Sequence, residues 1–263
     1  LLWHKKLFAY AKEINITIFS TPFDESAVDF LEKLNCPIYK IASFEMTDLP
    51  LIKRVAKTKK PIIISTGMAN LNEIEETFNF AKKCGAKDIT LLYCVSKYPA
   101  KISDFNMNNI KILKEKFKCK VGFSDHSKDN DIAKAAIAAG AVLIEKHIAL
   151  ENQKEGLDIE FSIKGKQIKE FNKAINDTYK ILGKSYFTRD KTENEMKILR
   201  RSIFVVKDIK EGEKFTLNNI RRIRPGHGLA PKYYNDLLKN KSPLDLYKGD
   251  PLTKNILHKL NIK

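Results

Sequence analysis

The sequence predicts most of a parallel β/α-barrel enzyme, followed by a small, mostly β domain. Three observations predict it. Short apolar runs alternate with amphipathic helical patterns from Asn15 to Leu150, and such alternation gives parallel strands joined by right-handed helical crossovers. No G-x-G-x-x-G or G-K-[ST] loop follows any of these runs, which disfavours an open nucleotide-binding sheet. Polar side chains cluster instead just after many different runs, and a barrel gathers all its strand ends around one pocket.

The elements follow in order. Leu1–Ala11 reads as the middle of a helix and the chain opens on Leu1 rather than Met, so the expectation is an N-terminal truncation. Strands are predicted at Thr17–Thr21, Tyr39–Ser43, Ile62–Thr66, Thr90–Cys94, Val121–Ser124 and Val142–Lys146. Helices are predicted at Glu25–Leu34, Leu49–Thr58, Leu71–Cys84, Asn108–Phe117, Asp129–Ala139 and Gly165–Leu182. A complete barrel has about eight strands, so the two missing ones would precede Leu1. The barrel region is assigned to residues 1–184 and a polar, charged linker to 185–199. Residues 200–258 form the small domain, with strands at Arg201–Val206 and Ile220–Arg224 and a capped turn at Thr216–Ile220. A loop at Pro225–Gly228, a short helix at Tyr233–Leu238 and a closing β segment at Asp245–Leu252 complete it.

Composition excludes several classes. With 43% hydrophobic residues and 10% aromatic ones over 263 residues, the chain can bury a large core and is not a disordered segment. No apolar stretch reaches transmembrane length, and the expectation is a chain without a signal peptide. Cys36, Cys84, Cys94 and Cys119 form no C-x-x-C pair, which fits reduced thiols in a cytoplasmic protein. The net charge of +16 comes without a long basic run or a nucleic-acid-binding signature, so it reads as solvated lysines rather than a nucleic-acid or membrane surface.

Candidate chemistry sits at the strand ends. His126 and His147 each follow a strand, on consecutive strands. They are placed either to share one divalent metal acting as a Lewis acid or to hydrogen-bond within the pocket. Lys40 and Lys146 lie inside strands; such a Lys suits a Schiff base, a point charge for a carboxylate or phosphate, or a stem that snorkels to the rim. Ser43, Ser65, Thr66, Ser96 and Ser124 place hydroxyls at successive strand ends, suited to cradling anionic groups or to capping the next helix. Glu45 and Asp158 are rim carboxylates, suited to holding sugar hydroxyls or moving protons, or to plain loop salt bridges.

The motifs in combination resemble the nonulosonic (sialic-type) acid synthases, which condense phosphoenolpyruvate with an N-acetylated hexose. The matching stretches are Ser20-Thr21-Pro22-Phe23, Tyr39-Lys40-Ile41-Ala42-Ser43-Phe44-Glu45, Ser65-Thr66-Gly67-Met68, Cys94-Val95-Ser96-Lys97-Tyr98-Pro99, Gly122-Phe123-Ser124-Asp125-His126 and Ile144-Glu145-Lys146-His147. In the tail, Arg224-Pro225-Gly226-His227-Gly228-Leu229-Ala230-Pro231 is similar to the loop of the antifreeze-like (SAF) domain. The resemblance covers essentially the whole chain, and its specificity lies in the order of the motifs.

The resemblance implies a (β/α)8 TIM barrel, lacking its N-terminal strands in this sequence, with a C-terminal β-clip SAF domain. It implies that His126 and His147 ligate a divalent metal, usually Mn2+. It places Lys40, Ser43, Ser65 and Ser124 at phosphoenolpyruvate-binding positions, with Thr66 and Ser96 beside them. Glu45, Tyr98 and Asp158 fall near the sugar acceptor. Arg224 falls where an arginine reaches into the partner subunit's active site, which implies a domain-swapped homodimer. The Ile41-Ala42-Ser43-Phe44-Glu45 stretch is most similar to pseudaminic acid synthases; N-acetylneuraminate synthases more often have Gly where Phe44 stands. Alternatives within the class are an N-acetylneuraminate or legionaminic acid synthase. Alternatives outside it are a Lys-dependent aldolase and a catalytically impaired sugar- or anion-binding protein. Val95 and Ser96 depart from the more usual Thr-Ser or Thr-Asn pair of the family.

Overall fold

The computed structural model describes residues 2–262. They divide into two compact units between Gly183 and Lys184. In the first unit, helix α1 (Leu2–Glu13) and α2 (Glu25–Lys33) precede a run of strands and helices: β1 (Tyr39–Ile41), α3 (Leu49–Ala56), β2 (Ile62–Ser65), α4 (Leu71–Lys83), β3 (Ile89–Cys94), α5 (Asn108–Phe117), β4 (Lys120–Asp125), α6 (Asn130–Ala138) and β5 (Ile144–Lys146). A two-stranded parallel pair, β6 (Ile148–Ala149) and β7 (Ile163–Lys164), and the long helix α7 (Lys166–Leu182) complete it.

The five main strands form one parallel sheet in chain order, β1-β2-β3-β4-β5. It is a curled half-barrel. The expected strand at Thr17–Thr21 is reduced to a single bridge between Ser20 and Tyr39. Ser20 has one neighbour to pair with, and its carbonyl reaches the Lys40 N–H only at 3.5 Å, too long for a firm ladder.

Helix starts are written in the sequence. Asp24, Asp48, Asn70 and Asp129 each accept a backbone N–H of the following helix's first turn, and Asn70 with Glu73 closes a capping box. The strands alternate in what they face. Tyr39, Ile41, Ile62, Ile64, Ile89, Leu91, Tyr93, Val121 and Phe123 point at the helices and form the main core. The residues between them, from Lys40 through Ser65, Cys94 and Ser124 to Glu145, point the other way, because side chains along a strand switch faces at each step. Paired positions in the register, such as Cys94 with Ser124 and Ser124 with Glu145, therefore share the inner face.

In the second unit the charged stretch read as a linker carries its own short helix, α8 (Lys191–Glu195), capped by Asp190. Strands β8 (Ser202–Val205) and β9 (Ile220–Ile223) pair antiparallel. Thr216–Ile220 is a turn closed by the Asn219 side chain, which accepts from the Thr216 N–H at 2.7 Å. The closing segment 245–252 contributes bridges rather than a continuous strand: Leu246 exchanges two 2.8 Å hydrogen bonds with Ile209, and Leu252 donates to Ile203. Helix α9 (Tyr234–Leu237) and α10 (Lys254–Lys259), the latter unanticipated, cover a core of Ile203, Val205, Ile209, Phe215, Ile220 and Leu252.

Candidate active site

A cavity of about 320 Å³ opens at the C-terminal ends of the five strands. Lys40, Ser43, Phe44, Ser65, Cys94, Tyr98, Ser124, His126, Glu145, His147 and Asp158 line it. The first unit thus brings together eight of the sequence-predicted site residues: Lys40, Ser43, Ser65, Tyr98, Ser124, His126, His147 and Asp158.

Charge in the cavity is organised by Glu145. Its carboxylate meets Lys40 Nζ at 3.0 Å and accepts from Ser124 Oγ at 2.6 Å. Ser65 is only 2% exposed, and its hydroxyl has no hydrogen-bond partner. A buried, unpaired hydroxyl aimed into a polar cavity is costly, and a bound oxygen-rich group would satisfy it. Ser43 Oγ accepts from the Gly67 N–H at 3.1 Å. A Cβ added to Gly67 would lie 2.8 Å from that oxygen and 2.1 Å from Ser96 Oγ, so the two hydroxyls close on a backbone position that only glycine leaves open.

The histidines form an aromatic group with Tyr98 and Phe161. The rings of His126 and His147 are 5.3 Å apart, and Tyr98 lies 4.3 Å from His126. His126 Nδ1 lies 3.0 Å from the Val95 carbonyl, and that pairing requires the proton on Nδ1, which leaves the Nε2 lone pair free. Burial lowers the pKa of His126; the Val95 bond opposes the shift and the neighbouring His147 adds to it. The ring is therefore neutral near pH 7, the form that ligates a cation. His147 Nδ1 stands 3.6 Å from Asp158 Oδ2, a carboxylate placed to orient the ring. Among the described residues no group of three or more His, Cys, Asp or Glu side chains is arranged around one point. The pair fits a site in which protein supplies two imidazoles and leaves the remaining positions to water or substrate. Burial also raises the Tyr98 phenol, with Cys94 and Asp158 adding and Ser96 opposing, so Tyr98 is a hydrogen-bond donor at neutral pH.

Other predicted residues stand elsewhere. Thr66 donates its hydroxyl to the Leu92 carbonyl at 3.0 Å and lines a separate cavity with Met68 and Leu71. Ser96 touches Cys94 Sγ at 3.9 Å and crowds Gly67. Glu45 sits in a 3-10 turn after β1, with one carboxylate oxygen buried and unpartnered. Lys146 points away from the cavity: it pairs with Asp125 at 2.9 Å, and both side chains are buried. The alternation of β5 puts Glu145 inside and Lys146 outside, so Lys146 takes neither a Schiff-base nor an anion-binding place in this cavity. Glu145 itself escaped the sequence reading. Its signal was parity, since it stands two residues before His147 and one before a lysine of the other face. Arg224 is an exposed residue after β9 in the second unit.

Residues 1–186 match the NeuB family, and residues 200–257 match the SAF domain. The chain is 41% identical over 254 residues to a pseudaminic acid synthase of Helicobacter pylori, a match covering 96% of this chain and 75% of that one. It is 42% identical over 252 residues to an N,N'-diacetyllegionaminic acid synthase of Campylobacter jejuni, covering 95% of this chain and 75% of the relative. Among solved structures it is similar to an N-acetylneuraminic acid synthetase of Leptospira borgpetersenii, with a TM-score of 0.70 and 33% identity over 73% of this chain and 67% of the other. The half-barrel, the strand-end cavity and the sequence matches agree: the chain belongs to the NeuB family and carries a SAF domain C-terminal to its barrel-type unit.

Proposed function

We propose that the protein condenses phosphoenolpyruvate with an N-acetylated deoxyhexose, forming a nine-carbon nonulosonic acid of the pseudaminic type and releasing phosphate. The observation that carries this reading is the inner-face cluster of Lys40, Ser124 and the unpartnered Ser65 hydroxyl. It offers a cation and hydroxyls for an anionic substrate beside a pair of histidines.

The residues divide the work. Lys40, Ser43, Ser65 and Ser124 bind the carboxylate and phosphate of phosphoenolpyruvate, with Thr66 and Ser96 supporting the loops around them. His126 and His147 would hold a divalent cation, Mn2+ being the expected ion, whose chemistry when bound is Lewis-acid polarisation of the acceptor's aldehyde oxygen. In the reaction the C3 carbon of phosphoenolpyruvate bonds to the aldehyde carbon, water adds at C2, and phosphate leaves from C2. Glu145 is the carboxylate positioned to take a proton from that water. Neutral Tyr98 donates toward the acceptor, with Asp158 and Glu45 on its hydroxyl and amide groups. Arg224 is assigned to the active site of a partner subunit in a domain-swapped homodimer. The relatives support two acceptor types about equally; the apolar ring of Phe44, 64% exposed on the cavity rim, favours a sugar with fewer hydroxyls.

The test is phosphate release from phosphoenolpyruvate with Mn2+ against a panel of N-acetylated acceptors. Release with a diacetamido-trideoxyhexose is expected. Absence of release with every acceptor overturns the reading.

A further inference from the structure

The strand ends that carry His126 and His147 are fastened together on the side facing away from the cavity. Asp125 is 0% exposed, and each of its oxygens is committed. Oδ1 accepts from the Ser127 N–H at 2.9 Å and from the Ser127 hydroxyl at 2.6 Å. Oδ2 accepts from Lys146 Nζ at 2.9 Å. Lys146 Nζ also donates to the Ser127 carbonyl. His126 is the one residue inside this ring of bonds, and His147 is the residue bonded to Lys146.

We propose that the buried Asp125–Lys146 ion pair, closed through Ser127, is the positioning element that sets the spacing and orientation of His126 and His147. The inference rests on the reading that these two histidines hold a divalent cation. Each pair member is in register with the other across β4 and β5, so the cross-link ties the two strands at the step from which the imidazoles project. Backbone bonds brace the same residues from outside: the Ala100 N–H donates to the His126 carbonyl at 3.1 Å and the Ile163 N–H to the His147 carbonyl at 3.0 Å. An isolated buried ion pair is weak evidence of stabilisation, because desolvating both charges offsets their attraction. Two buried charges on the residues that immediately precede the two histidines, paired across the strands that carry them, are better explained by geometry: groups that orient metal-binding imidazoles typically change metal affinity about 10–100-fold when removed.

The test measures Mn2+ binding to the whole chain by electron paramagnetic resonance, with no substrate present, and compares it with the thermal transition. The variants are Asp125→Asn, which keeps an acceptor for Ser127 and removes the charge, and Asp125→Asn/Lys146→Met, which removes both charges. The expected result is a loss of Mn2+ affinity of about 10-fold or more in whichever variant keeps a wild-type melting transition, with phosphoenolpyruvate quenching of Tyr fluorescence changed less than threefold. Wild-type Mn2+ affinity in a folded variant overturns the positioning role. Absence of Mn2+ binding in the wild-type chain overturns the metal reading itself, a separate outcome. If both variants melt early, Ser127→Ala, which removes only the hydroxyl link, decides: unchanged affinity overturns the proposal and a fall supports it.

Discussion

Lys40 and Glu145 stand on the two outermost strands of the five-stranded sheet, yet their side chains meet at 3.0 Å. In a flat sheet, four inter-strand steps would separate those strands by about 19 Å, beyond the combined reach of one lysine and one glutamate. The sheet must curl for this pair to exist. The contact is therefore a chord across the half-barrel, and it brings a cation and an anion from opposite edges to the middle of the cavity.

Removing the cation should be felt by the anionic substrate first. Lys40→Met is expected to raise KM for phosphoenolpyruvate about 10–100-fold, the span that a charge-assisted hydrogen bond commands. Steady-state phosphate release checks it; an unchanged KM would place the substrate's charges elsewhere.

Ser65 gives the opposite signature in stability. Its hydroxyl is buried without a partner, so Ser65→Ala removes a desolvation cost and loses no hydrogen bond of the free protein. Thermal stability is expected to stay within about 0.5 kcal/mol of the parent or rise slightly, while KM for phosphoenolpyruvate rises about 3–10-fold. A destabilised Ser65→Ala with normal KM contradicts the assignment.

Gly67→Ala should strain the loop after β2. The new Cβ would meet Ser96 Oγ at 2.1 Å and Ser43 Oγ at 2.8 Å, and such overpacking typically costs about 1–3 kcal/mol. Adding Ser96→Ala removes the nearer obstacle and is expected to recover part of the loss. A double-mutant cycle in denaturant measures the coupling; strict additivity would show that Ser96 moves aside freely.

Chelation supplies the fourth prediction. Exhaustive treatment with EDTA is expected to abolish phosphate release and Mn2+ to restore it in the parent but not in His126→Ala/His147→Ala. Full activity after chelation would assign the two imidazoles to hydrogen bonding alone.

Acceptor choice supplies the fifth. Phe44→Gly opens the rim of the cavity that the histidines share, and its expected effect is a shift of preference toward acceptors bearing more hydroxyls. Competition between two acceptor sugars reads the shift directly, and an unaltered ratio removes Phe44 from acceptor recognition.

Much of this architecture was legible because local signals were strong. The helix expected from Asn108 to Phe117 has those limits in the structure, and the helices expected from Glu25, Leu49 and Leu71 begin at those residues. Ile62, Ile63 and Ile64 were readable as a strand but not by face, since all three are apolar and all three are buried. The side Lys146 takes is equally open in the sequence: a lysine inside an apolar run does not declare its face until the neighbours of the strand are known. Thr66, one step beyond Ser65, falls by the same alternation on the side of the separate cavity. Thr17–Thr21 had the composition of a strand, yet a strand also needs partners, and Ser20 is the one residue there that bridges. Helix α10 was missed because its six residues carry too short a period to read. Glu145 was hidden in a recognised motif by the more conspicuous histidine beside it.

The alternation of β5 has a further consequence. Strand β5 is only three residues long and pairs with one neighbour, so few backbone bonds resist a slide along β4. A slide by one residue in one direction would bring Glu145 to the place of Lys146, against the buried carboxylate of Asp125. A slide in the other direction would bring Lys146 to the place of Glu145, against Lys40. Either misalignment sets like charges together, at Asp125 in a place closed to water, whereas the native alignment satisfies both lysines at once. The two oppositely directed Lys–carboxylate pairs thus work as a lock with a single fitting position, and the strand that presents His147 reports its own misplacement electrostatically before any substrate arrives.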